Sequence, residues 1–151
     1  MKDATTRQRG ITVIAVVNGF GAILTVAFWA LVFVRVFAAD DLPAQLDTGS
    51  LATTFGFMIG DLTWALILLI LSVVGLWRMR AWGWLIAQMV NILWLYSMTV
   101  IWCRDTHGGI ISPGAILFLP FVPFSLWALR YLWNVREDFG VRRQSSESQG
   151  C

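Results

Sequence analysis

A chain of 151 residues with 58% hydrophobic and only 13% charged residues cannot clothe a soluble surface of its size. Its mean hydropathy of +0.70 says the same. The net charge of +2 is small, and the basic residues flank apolar runs, where they meet lipid headgroups and give no reason to expect a nucleic-acid partner.

A hydrocarbon core of about 30 Å takes about 20 helical residues per crossing. Runs of that length cover Ile11–Ala38, Phe55–Trp77, Ala81–Trp102 and Pro113–Trp133. They do not alternate apolar with polar residues, so helices are expected and not barrel strands. The expected fold is all-α: a polytopic integral membrane protein with a four-transmembrane-helix antiparallel bundle over residues 11–136. A cytoplasmic lead (1–10) precedes it and a disordered cytoplasmic tail (137–151) follows.

Met1 to Gly10 is polar and basic. The first run is about twice a normal signal-peptide core, which seldom exceeds about 15 residues, so it is expected to stay as a helix. Within it Ala15, Asn18, Ala22, Thr25 and Trp29 recur at helical spacing beside Gly19 and Gly21. Small residues on one face let a second helix approach closely, so this stripe predicts a helix contact with Asn18 hydrogen-bonded across it. Size and span number resemble small four-helix multidrug exporters. Those rely on a glutamate in the first helix, and here the run has no acid.

Asp40 to Thr54 is expected as a short acidic outer loop, with Asp40 and Asp41 as partners for Arg35. In the second run Asp61 falls roughly 10 Å inside the outer boundary, at about 1.5 Å per helical residue. A lone carboxylate there is expensive unless protonated or paired, and it usually marks function. Arg35 and Arg104 are the candidate cations, Arg35 the better placed. Asp61, Ala65, Leu68, Ser72 and Gly75 share one helix face.

Arg78 and Arg80 form a very short basic turn between tryptophans, which forces the second and third helices to lie side by side. On the third, Trp84, Gln88, Asn91, Leu95, Met98, Trp102 and Asp105 share a face. Polar stripes should turn inward, so the two faces are expected to line one cleft. A loop over Arg104–Gly109 then carries Asp105 and the single histidine, His107. Ser112-Pro113 is a good start for the fourth helix, a hydroxyl cap before proline. Pro120 and Pro123 each delete an amide donor and predict a kink. The tryptophans gather toward the two predicted boundaries, as an aromatic belt does.

Lys2, Arg7, Arg9, Arg78, Arg80, Arg130, Arg136, Arg142 and Arg143 fall on one predicted side, against Arg35 and Arg104 on the other. That bias predicts both termini in the cytoplasm, in a prokaryotic inner membrane. Cys103 and Cys151 then lie on opposite faces and cannot pair. No phosphate loop, metal-ligand spacing or nucleophile motif is present, so no cofactor and no metal are expected.

Three functions fit these residues. The first is a non-enzymatic accessory or a ligand- or partner-binding module with a polar cleft open to the outer leaflet. The second is a small carrier using Asp61 for a proton or cation. The third is an outer-leaflet enzyme on a lipid or other amphiphile, using Asp61, Asp105 and His107. Candidate binding residues are Asp61, Arg35, Gln88, Asn91, Arg104, Asp105 and His107. Membrane lipids are expected partners, with a membrane protein or a second copy of the chain as further candidates.

Overall fold

The structure, a computed structural model, describes residues 2–37, 48–109 and 111–141. The described residues are all helical, with no strand. In chain order they form α1 (Lys2–Phe37), α2 (Thr48–Gly60), a π-helical turn (Asp61–Ala65), α3 (Leu66–Trp77), α4 (Ala81–Gly108), α5 (Pro113–Phe118), α6 (Phe121–Asn134) and a 3-10 turn (Arg136–Phe139). Four helical stretches are long and apolar enough to cross a membrane: Gln8–Arg35, Ala52–Trp77, Ala81–Gly108 and Pro113–Asn134. Large apolar side chains such as Ile23, Ile67 and Ile92 stand exposed on their outer faces. In hydrocarbon that exposure carries no penalty, so packing and polar contacts hold the helices together instead.

The α3–α4 turn is as short as its sequence implies. The Met79 and Arg80 amides donate to the Leu76 and Gly75 carbonyls at 3.1 and 3.2 Å, and Met79 takes a left-handed φ of 48°. Immediately beyond the turn the backbones of Gly75 and Gly83 touch. A Cβ on either would run into the main chain of the other, so only glycine allows this approach. Around this end Ile14, Ala15, Leu76, Ala87, Ala128 and Leu132 make a closed core.

Asn18 does bridge helices: its Nδ2 donates to Ser72 Oγ at 3.0 Å, and Ser72 Oγ in turn donates to the Leu69 carbonyl. The α4–α6 contact is set by Trp84 Nε1 donating to the Leu132 carbonyl at 2.8 Å and Gln88 Nε2 to that of Leu129 at 3.4 Å. Farther from the turn Met98, Phe118 and Phe121 pack with Phe28 and Trp94. There Trp94 stacks on Phe121 with ring centroids 4.7 Å apart.

Several boundaries differ from those the sequence predicts. The segment Thr48–Thr54 is helical, not loop, while Asp40, Asp41 and Asp47 lie outside the described residues. The Arg104–Gly109 segment is no loop either, since α4 runs on through Gly108 and ends on Gly109 in the left-handed region. The fourth span is interrupted at Leu119–Pro120, where Val122 N–H bonds back to the Leu119 carbonyl at 3.1 Å. The expected tail begins within the 3-10 turn Arg136–Phe139. Phe139 is buried against the closed core, and the remainder from residue 142 lies outside the described residues.

Candidate functional site

Beyond the closed core the spans separate around a cavity of about 500 Å³, bounded by α1, α2, the π-turn, α3, α4 and α5. Leu69, Val90, Trp94, Met98 and Phe118 supply an apolar interior, and Asp61, Arg35 and Arg104 supply its charges.

Asp61 opens the π-turn. A π-turn widens the helix by one residue and so resets which side chains face inward, a local departure that recurs at functional sites. From within it Thr63 Oγ1 donates back to the Ile59 carbonyl of α2 at 2.6 Å, and no side chain or other helix crowds Gly60 just before it. The carboxylate that results is half-buried, and its Oδ2 accepts the Trp29 indole N–H at 2.9 Å. Trp29 is itself buried and braced edge-on by Phe28.

That partner corrects the expected ion pair. No bond joins Arg35 to Asp61 among the described residues. Arg35 sits six residues past Trp29, roughly 9 Å farther along the helix at about 1.5 Å per residue, and it is exposed. It lines the cavity without closing on the acid.

Arg104 owes its position to Asp105. Arg104 Nε and Nη2 donate to Asp105 Oδ1 at 3.0 and 2.8 Å, while Asp105 Oδ2 accepts the Ser112 backbone N–H at 2.7 Å. Ser112 Oγ caps α5 by accepting from the Ala115 amide at 3.3 Å, the expected hydroxyl-then-proline start. One buried carboxylate therefore ties the end of α4 to the start of α5 and orients a guanidinium. The Asp105 side chain is 4% exposed and that of Arg104 is 43% exposed, so the cation faces outward over the acid.

Three predicted site residues lie elsewhere. His107 is exposed in the last turn of α4 and does not line the cavity. Gln88 and Asn91 are buried away from it: Gln88 reaches the α6 main chain, and Asn91 Nδ2 donates to its own helix at Ala87 at 2.7 Å. Trp84 and Gln88 of the α4 stripe thus face the fourth span, while Gly83 meets Gly75 on the α3 side. Among the described residues Asn18 Oδ1, Gln88 Oε1, Asn91 Oδ1 and Ser125 Oγ are buried with no partner. No group of His, Cys, Asp and Glu among the described residues is arranged to hold a metal ion.

Sequence reasoning missed Trp29, although it stands in phase with Thr25 and Ala22 on the contact stripe and carries an indole donor. It also undervalued Arg104, which lies off the polar stripe of its helix. Comparison with protein-family models, curated proteins and solved structures gives no match.

Proposed function

We propose that this chain is a non-enzymatic membrane module that binds a ligand in the cleft between its first three spans and α5. The observation that carries this reading is Asp61, an ionisable group on a π-turn, lining an apolar cavity with one neutral indole as its donor. Intramembrane acids are expensive, and they are kept where something binds. Arg35 and Arg104 add two cations to the same lining.

The alternatives have less support. A carrier needs Asp61 reachable from both sides in turn, and the tightly packed core at Gly75, Gly83 and Leu132 favours a dead-end cleft. An enzyme using His107 needs that residue beside Asp61, and it is not in the cavity lining.

In this reading the bundle is antiparallel, its cleft opens to the outer leaflet, and both termini are cytoplasmic in a prokaryotic inner membrane. The opposed numbering of Trp84–Leu132 and Gln88–Leu129 supports the helix directions, and the arginine bias supports the orientation. Reporter fusions after Trp77 and Val141 should read cytoplasmic. The break at Leu119–Pro120 bends the fourth span so that α5 borders the cleft.

Native mass spectrometry of the purified chain tests the function. Wild type should retain a small ligand that Asp61→Asn loses, while the buried control Asn91→Leu keeps it. Equal retention by wild type and Asp61→Asn overturns the proposal.

A further inference from the structure

Resting on the reading of this cleft as a ligand site, we infer that its occupant is a single-chain amphiphile. It carries a phosphate monoester head and a free hydroxyl between head and chain, as in a 1-acyl-glycerol 3-phosphate.

Each part of that ligand answers a feature of the cavity. The interior is apolar, and about 500 Å³ suits a small ligand better than a bulky two-chain lipid. Arg35 and Arg104 come from different helices and both line it. Asp105 takes Nε and Nη2 of Arg104, which leaves Nη1 without a hydrogen-bond partner among the described residues. Arg35 has no ion-pair partner among the described residues. A carboxylate head is satisfied by one guanidinium fork. A phosphate monoester, with a charge of about −1.5 to −2 and three strong acceptor oxygens, calls for two.

Asp61 defines the group beneath the head. An ionised carboxylate only accepts hydrogen bonds. Its Oδ2 is taken by Trp29, and Oδ1 has no donor among the described residues. A ligand that binds the ionised form therefore brings a donor at that depth. Trp29, which marks the level of Asp61, lies roughly 9 Å below Arg35 along α1 at about 1.5 Å per residue, a gap that a long arginine side chain and a glycerol unit together span. A hydroxyl serves as that donor without adding a further cation beside Arg35, which has no carboxylate partner among the described residues.

The test is a retention and thermal-shift titration on the full chain in detergent micelles, using 1-oleoyl-glycerol 3-phosphate, monooleoylglycerol, oleate and inorganic phosphate. The phosphate amphiphile should bind about tenfold or more tighter than monooleoylglycerol or oleate, the loss expected when hydrogen bonds to charged groups are absent. Excess inorganic phosphate should not displace it. Arg35→Gln, at an exposed position, should lower the affinity for the phosphate amphiphile while leaving monooleoylglycerol unchanged. Arg35→Lys should recover part of the difference.

Equal affinity for the phosphate amphiphile and monooleoylglycerol would overturn the head assignment and leave the cleft as a lipid site. Displacement by inorganic phosphate would overturn the chain assignment and point to free phosphate. Binding of none of the four overturns this inference alone if wild type still retains another ligand that Asp61→Asn loses. If it retains nothing, the ligand-site reading falls as well.

Discussion

The Trp29 indole nitrogen and Asp61 Oδ2 stand 2.9 Å apart and tie the first span to the second across the wall of an apolar cavity. The indole N–H occupies Oδ2 and leaves Oδ1 without a donor among the described residues. Trp29→Phe keeps the ring and removes the N–H. It should cost about 1.5–3 kcal/mol, the usual worth of a hydrogen bond to a charged group. Asp61→Asn combined with Trp29→Phe should cost less than the sum of the two single changes. A double-mutant cycle on unfolding in detergent reads that coupling, and additive effects would show that the bond contributes nothing.

Glycine substitutions should separate by position. Gly75→Ala and Gly83→Ala each drive a methyl into the opposing main chain. With no flexible side chain to yield, either should destabilise by about 1–3 kcal/mol or more. No side chain or other helix stands near Gly60, so Gly60→Ala should be neutral or stabilise by up to about 1 kcal/mol through helix propensity. Melting temperatures of the three variants, compared in one detergent, check the order.

Asp105→Ala strands two partners at once, the Ser112 amide and the Arg104 guanidinium. The expected loss is about 3–5 kcal/mol if Arg104 is left buried, and nearer 1–3 kcal/mol if it swings into water. The side chain of Arg104 is 43% exposed, so the smaller value is expected. Faster thiol labelling at the neighbouring, exposed Cys103 should report any loosening at the end of α4.

Ser125 is fully buried, and its Oγ has no partner among the described residues. Removing an unsatisfied polar atom recovers its desolvation cost, so Ser125→Ala should leave stability unchanged or raise it by about 1 kcal/mol. Ser72→Ala is the contrast. Its Oγ both accepts from Asn18 and donates to Leu69, and its loss should destabilise. If both variants melt alike, the difference in bonding carries no weight.

The spans were legible because length and apolar content report directly on the solvent a helix needs. Asn18 and the Ser112-Pro113 start were legible because each follows from local spacing and capping chemistry. The Trp29–Asp61 bond was not, since it depends on the register between two helices, which a single stripe does not define. The π-turn has no sequence signature at Asp61. The two glycines after His107 suggested a loop, but the Asp105 carboxylate, two residues before His107, binds the Ser112 amide and ties the last turn of α4 to the start of α5. Gln88 reaches the α6 main chain and not α3, because polarity alone does not choose the facing helix. Two glycines choose it instead.

The Gly75–Gly83 contact fixes where the second and third spans meet, close to the turn that joins them. Past this joint they stay packed through Leu66, Leu69, Val90 and Trp94, and both line the cavity. Met98 lies roughly 22 Å along α4 from Gly83 at about 1.5 Å per residue, so a tilt of about 5° at the joint moves it by about 2 Å. That displacement is enough to separate a fitting chain from a branched one. Under the ligand-site reading proposed above, selectivity for width falls to Gly75 and Gly83, which do not line the cavity.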